Sequence, residues 1–174
     1  MGRVFLELPE EAYSALMAHL LPQSSTSERA AFLFAKAESE EEDTTFKSLE
    51  WMPVPPDDFV DHPGHYFELT DEARGRIIKK AHDLAASIVE FHSHLSALPA
   101  SFSKTDVAGL KEFVPHVWWR LKGKPYMAVV VARTSFDALS WITDPKTPQA
   151  VDGIVAGRKL HEPTGRTFKG WNDY

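Results

Sequence analysis

The stretch Ser87-Ile88-Val89-Glu90-Phe91-His92-Ser93-His94 decides both the fold around it and the chemistry of this chain. Its first five residues are mostly branched or aromatic, a composition that predicts a buried β-strand. Side chains at positions i and i+2 of a strand point to the same face, so His92 and His94 leave the sheet in one direction. Two imidazoles arranged in this way suit two ligands of one metal ion.

A second polar segment, Ser103-Lys104-Thr105-Asp106, follows His94 after eight intervening residues. Ser103 suits the N-cap of a helix, and Asp106 then occupies the third helical position, where a carboxylate is favourable. Asp106 is the predicted third ligand. Two histidines and one carboxylate leave a fourth position for water, which is typical of a catalytic rather than a structural zinc site.

Hydrophobic periodicity along the rest of the chain predicts alternating helices and strands. Together they indicate an α+β fold, an α/β sandwich with a mixed, curved β-sheet flanked by helices. The length of 174 residues and the hydrophobic content of 43% fit a single domain over residues 1–174, with a flexible C-terminal tail at 161–174. Helices are predicted at 9–20, from Thr70 and from Ser103, and further strands at 3–8, after Glu28, and at 46–54, 66–69, 127–131, 138–142 and 154–160.

The order and spacing of these residues resemble the JAMM (MPN-plus) zinc metalloprotease family, whose pattern is a distant Glu, then His-Ser/Thr-His-Pro, then Ser-x-x-Asp. The stretch Ser27–Ala35 is similar to the family's first block and supplies Glu28. Leu95 stands where the family has Pro, and eight rather than seven residues precede Ser103. The longer loop makes Ser101 an alternative to Ser103.

The resemblance implies an MPN/JAB-like fold and an enzyme, a zinc-dependent isopeptidase or peptidase of the deubiquitinase type. Zinc held by His92, His94 and Asp106 would lower the pKa of a bound water towards roughly 7. Glu28 would take the proton of that water and later pass it to the leaving amine, and Ser103 would stabilise the oxyanion. The bond cleaved would follow the C-terminal tail of a ubiquitin-like protein.

The resemblance also implies the partners: a ubiquitin-like protein or its conjugates, and E1-like and E2-like proteins of the same prokaryotic pathway, as in antiviral defence. We expect the substrate tail to bind as an added strand, with Ser135–Val151 as the candidate clamp. Three alternatives stay open. Glu90 shares the strand face of the histidines and could touch the metal; the protein could bind a ubiquitin-like partner without cutting it; or the site could hydrolyse small amides.

Composition excludes several other classes. The chain has no cysteine, which excludes disulfides, thiolate zinc sites and a cysteine-protease mechanism. Five of the 25 acidic residues lie between Glu38 and Asp43, and this run predicts a solvated hairpin tip or loop. No segment is basic enough to indicate nucleic acid or apolar enough to span a membrane. The early charges Arg3 and Glu7 argue against a secretory signal, so we expect a cytoplasmic protein.

Overall fold

A mixed β-sheet is the framework of the molecule. The computed structural model describes residues 2–24, 26–60 and 68–174, and in that part of the chain nine strands form one sheet. In chain order the strands are β1 (Val4–Leu8), β2 (Ala30–Glu40), β3 (Asp43–Pro53), β4 (Ser87–Ser93), β5 (Tyr126–Val131), β6 (Phe136–Trp141), β7 (Gln149–Ala150), β8 (Gly153–Ala156) and β9 (Lys159–His161). Across the sheet they lie in the order β7-β6-β5-β4-β2-β3-β1-β8-β9. Strands from both ends of the chain therefore share one sheet, since β1 pairs with β8.

Helices cover the sheet on both sides. Thr70 begins the second helix by accepting a hydrogen bond from the backbone N–H of Ala73 at 3.2 Å, as its cap pattern predicts. Within the described ranges, no helix is both long and apolar enough to cross a membrane. The α-helices are α1 (Glu10–Leu20), α2 (Asp71–Asp83), α3 (Lys104–Arg120) and α4 (Arg166–Lys169), and two 3₁₀ helices span Pro56–Asp58 and Trp171–Asp173.

The alternation of side chains along the central strands builds two cores. On one face, Phe32 and Ile88 pack with residues of α2 and α3. On the other, Leu33 and Val89 pack with residues of α1. His92 has the strand parity of Ile88 and therefore faces α2 and α3. The sequence prediction of an α+β fold with a mixed sheet between helices is confirmed at this level.

Three local predictions have different outcomes. The acidic run is confirmed as a hairpin tip, because β2 and β3 pair as far as Glu40 and Asp43. The single strand predicted at 154–160 is wrong: β8 and β9 form a hairpin, and Gly157 turns the chain between them at φ 63°. The strand predicted at 66–69 begins outside the described residues.

The C-terminal segment 161–174 differs from the flexible tail that the sequence predicts, because it is folded against β6. The fully buried carboxylate of Asp137 accepts hydrogen bonds from the backbone N–H of Thr167 at 2.9 Å and from its hydroxyl at 2.7 Å. The ring of Trp171 meets that of Trp141 edge-on, with centroids 6.1 Å apart. A buried acid needs hydrogen-bond donors, and this segment supplies them.

Candidate metal centre

β4 and the residue after it carry the two predicted histidine ligands. This strand lies inside the sheet, between β2 and the parallel β5. The backbone N–H of His94 continues the pairing past the strand end by donating to the carbonyl of Val131 at 2.8 Å. The Nε2 atoms of His92 and His94 lie 3.2 Å apart. The structure thus brings the two imidazoles together, as the two-residue period of a strand predicts.

Asp106 reaches the histidines from the first turn of α3. The hydroxyl of Ser103 accepts a hydrogen bond from the backbone N–H of Asp106 at 3.1 Å, and the Ser103 N–H donates to Oδ2 of Asp106 at 2.8 Å. This is the capping box that the sequence predicts. The same Oδ2 lies 3.1 Å from Nε2 of His94 and 3.3 Å from Nε2 of His92. One carboxylate oxygen therefore serves both the helix start and the histidine pair.

The three atoms form a nearly equilateral triangle with sides of 3.1, 3.2 and 3.3 Å. A tetrahedral zinc ion bound at about 2.0–2.1 Å by nitrogen and oxygen would hold such ligands roughly 3.3–3.4 Å apart. The triangle therefore has the dimensions of one face of a zinc coordination shell. Among the described residues, His92, His94 and Asp106 make up the group that could hold a metal ion.

The electrostatics of the group also suit a cation. Burial disfavours the charged form of His92, but the hydrogen bond and charge of Asp106, with smaller contributions from Glu90 and Glu28, raise the pKa of His92 above its ordinary value. Burial likewise opposes ionisation of Asp106, yet its contacts with His92 and His94 hold its pKa well below the usual range. Asp106 is therefore a carboxylate at neutral pH, the form that a metal ion requires.

Glu28 lies beside this centre, on the segment that leads into β2. The hydroxyl of Ser93 accepts a hydrogen bond from the backbone N–H of Arg29 at 2.9 Å, and the Ser93 N–H donates to the Arg29 carbonyl at 2.9 Å. Ala30 then pairs with His92 in the sheet. The half-buried carboxylate of Glu28 is close enough to His92 to help raise the pKa of that imidazole. Glu28 is thus near the triangle but outside the ligand group.

Ser103 has a hydroxyl group next to Asp106 that can donate a hydrogen bond. Its oxygen accepts from the N–H of Asp106, so its own O–H can still donate. The residue is exposed, next to the carboxylate ligand. Ser101, the alternative, is half-buried, and its hydroxyl makes no hydrogen bond with the residues that the structure describes. The cap position therefore belongs to Ser103.

The loop of residues 95–102, which joins the ligand-bearing segments, is held by the C-terminal segment. The carbonyl of Ala100 accepts a hydrogen bond from the hydroxyl of Thr164 at 2.7 Å. The buried backbone N–H of Phe102 donates to the hydroxyl oxygen of Thr167 at 2.9 Å. Sequence reasoning missed this support. A signal was present in Asp137, a lone acid within an apolar strand, which had to find donors elsewhere in the fold.

A cavity of about 430 Å³ adjoins the triangle on the side of α2 and α3. Its wall includes His92 and Asp106, and it also includes Glu90, whose Oε2 accepts a hydrogen bond from the hydroxyl of Tyr126 at 2.7 Å. Burial raises the pKa of Glu90, although the bond from Tyr126 opposes the shift. Burial also raises the pKa of Tyr126, as does the Glu90 charge. Glu90 therefore lines the cavity and is not part of the ligand group.

The segment Ser135–Val151, the expected clamp for a substrate tail, is mostly internal. Its strand β6 is buried and pairs with β5 on one side. On the other side β7 pairs with Leu139 and Ser140 and forms the edge of the sheet. In this segment β7 thus offers a short edge, of two residues, to an added strand.

The fold and the site define an α+β protein with a candidate His-His-Asp metal centre at the end of a central strand. No family model matches the chain, and no curated protein matches it. The resemblance to the JAMM family stays a prediction from the motif residues.

Proposed function

We propose that this protein is a zinc-dependent isopeptidase or peptidase of the JAMM type, which hydrolyses the bond after the C-terminal tail of a ubiquitin-like protein. The triangle of His92, His94 and Asp106 carries the proposal, because its sides of 3.1–3.3 Å fit one face of a tetrahedral zinc shell. Three protein ligands leave a position for water. Glu28, beside the triangle but outside it, is a further support.

Each residue has its own task in the proposed reaction. His92, His94 and Asp106 would hold the metal ion, which when bound would lower the pKa of a water molecule to roughly 7. Glu28 takes the proton from the attacking water and delivers it to the leaving amine, a transfer that contributes about 10²–10⁴-fold to the rate. Ser103 donates a hydrogen bond from its hydroxyl to the carbonyl oxygen as negative charge develops there. Loss of one such donor costs about 10²–10³-fold.

The proposed partners follow from the resemblance of the motif residues. They are a ubiquitin-like protein or its conjugates, with E1-like and E2-like proteins of the same cytoplasmic pathway. The edge strand β7 is the part of the proposed clamp at which the tail could add as a further strand.

Zinc stoichiometry by elemental analysis, combined with turnover of a ubiquitin-like protein carrying a fluorogenic C-terminal amide, tests the proposal. We expect about one zinc per chain in the wild type and in Glu28→Gln, and none in the double variant His92→Ala/His94→Ala. Glu28→Gln should lose turnover by at least about 100-fold. The exposed Glu72 on α2 gives a matched control, Glu72→Gln, which should keep both properties. A wild type that binds no zinc after reconstitution would overturn the proposal, and unchanged turnover in Glu28→Gln would reject Glu28 as the base.

A metal-bound module that recognises a ubiquitin-like partner without cutting it is the second candidate. The loop between His94 and Ser103 motivates this candidate, because it is one residue longer than in the family that the motif resembles. Zinc and partner binding without turnover in the wild type would select this candidate. Turnover of short acyl-amides without any cleavage of protein conjugates would instead indicate a small-molecule amidase.

A further inference from the structure

We propose that the cavity beside the metal centre binds a lysine side chain of the substrate, with Glu90 accepting a hydrogen bond from its ammonium group. As a subsite next to the scissile bond, the cavity rests on the function proposed above. Binding of the lysine side chain does not depend on that function, because protein side chains alone form the cavity.

Glu90 lies at a defined distance from the metal centre along β4. The wall includes His92 and Asp106, and Glu90 lies two residues before His92 on the same strand face. Two residues along a strand span roughly 6.6 Å. The four-carbon stem of lysine has about this length. A lysine side chain that enters beside the metal centre and runs along β4 would therefore place its ammonium group at the Glu90 carboxyl.

The walls of the cavity suit the stem of such a side chain. Apolar residues from three parts of the chain line it: Phe32 of β2, Phe113 of α3, and Phe59 and Leu69 from the connection between β3 and α2. Lysine buries its methylene groups along apolar surface of this kind and keeps only its ammonium group solvated or paired. A volume of about 430 Å³ is ample for one such side chain.

The charges of the lining favour a cation over an anion. Apart from His92 and Asp106 of the metal centre, the charged residues of the described lining are three acids, Glu68, Glu90 and Glu112, and one base, Arg74. Oε2 of Glu90 is held by Tyr126, and its other oxygen makes no hydrogen bond with the residues that the structure describes, so it can accept one from a ligand.

Arg74 is the competing group in this cavity. Its guanidinium lies over the ring of Phe113 at 5.3 Å, and its buried Nε has no hydrogen-bond partner among the described residues. If Arg74 governed recognition, an acidic side chain would bind better than a basic one.

Three capped amino acids, titrated into metal-free protein and followed by NMR, decide between these possibilities. The probes are the Nα-acetyl N-methylamides of lysine, norleucine and glutamate. We expect lysine to bind at least about 10-fold more tightly than norleucine, since a hydrogen bond to a charged group is worth that much, and glutamate to bind most weakly. Glu90→Gln should bring lysine and norleucine within about 2-fold, whereas Glu72→Gln should keep the preference.

Equal binding of lysine and norleucine to the wild type would overturn the inference, and so would tighter binding of glutamate or a lysine preference that persists in Glu90→Gln. The wild-type comparison alone is decisive if the variant does not fold. Because the titration needs neither zinc nor turnover, its failure rejects the lysine subsite and leaves the peptidase proposal standing. Absence of zinc in the stoichiometry test rejects the peptidase and leaves lysine binding standing.

Discussion

Ser93 and Arg29 are joined by three hydrogen bonds. The Arg29 N–H donates to the Ser93 hydroxyl at 2.9 Å, and the Arg29 carbonyl accepts from the Ser93 N–H at 2.9 Å and from the Ser93 hydroxyl at 3.4 Å. Ser93 lies between the two histidines, and Arg29 follows Glu28. The serine inside the His-Ser-His segment therefore ties the proposed general base to the strand that carries the metal ligands. Its side chain points away from the histidine pair, so we expect Ser93 to position Glu28 and not to bind the metal.

Ser93→Ala removes the acceptor of the Arg29 N–H. We expect a loss of about 1 kcal/mol in the free energy of unfolding, an unchanged zinc content, and a fall in turnover of about 10-fold, because Glu28 is less well held. Ser87→Ala is the matched control, since Ser87 is buried in the same strand and its hydroxyl makes no hydrogen bond with the described residues. Normal turnover in Ser93→Ala would contradict the positioning role.

Ser103→Ala separates capping from catalysis when it is compared with Thr70→Ala. Ser103 and Thr70 each cap a helix, because each hydroxyl oxygen accepts a hydrogen bond from a backbone N–H. The distance is 3.1 Å for Ser103 and 3.2 Å for Thr70. Both variants should lose about 0.5–2 kcal/mol of stability in chemical denaturation. Only Ser103→Ala should also lower kcat, by about 10²–10³-fold. If both variants kept their turnover, Ser103 would be a cap alone.

Asp106→Asn tests the ligand role without removing the cap. The amide oxygen can still accept the hydrogen bond from the Ser103 N–H, so the cap is kept. The contacts of the carboxylate with His92 and His94 hold its pKa low, so their loss should lower the free energy of unfolding at neutral pH. The neutral amide replaces an anionic ligand, and zinc affinity should fall by at least about 100-fold in a competition titration with a chelator. Asp144→Asn, in an exposed turn, should bind zinc normally. A zinc affinity equal to that of the wild type in Asp106→Asn would exclude Asp106 as a ligand.

Thr167→Val tests whether the C-terminal segment supports the metal centre. The variant leaves the buried N–H of Phe102 without its acceptor and the carboxylate of Asp137 without one donor, so the free energy of unfolding should fall by about 2 kcal/mol. Zinc affinity should fall by about 10-fold, because the loop of residues 95–102 spaces the histidines from Asp106. Thr147→Val, on an exposed turn, should change neither quantity by a comparable amount. Unaltered zinc affinity in Thr167→Val would show that the C-terminal segment does not support the metal centre.

The sequence by itself determined the features that depend on near neighbours. The two-residue period of a strand puts His92 and His94 on one side, and the Ser103–Asp106 capping box follows from three-residue spacing at a helix start. The hairpin tip between β2 and β3 was predictable for the same reason, because a run of acids stays in water. The hairpin of β8 and β9 was missed, since the turn depends on a single glycine within an apolar run.

Only the tertiary structure decided which distant segments meet at the site. The bond between Arg29 and Ser93 spans 64 residues and that between Phe102 and Thr167 spans 65. Such contacts depend on the order of strands in the sheet and on the need of buried polar groups for partners, neither of which appears in local periodicity. The same holds for the cavity, which β2, β4, α3 and the segment before α2 enclose together. The cavity, with its apolar walls and acidic residues, forms only when those elements have packed together.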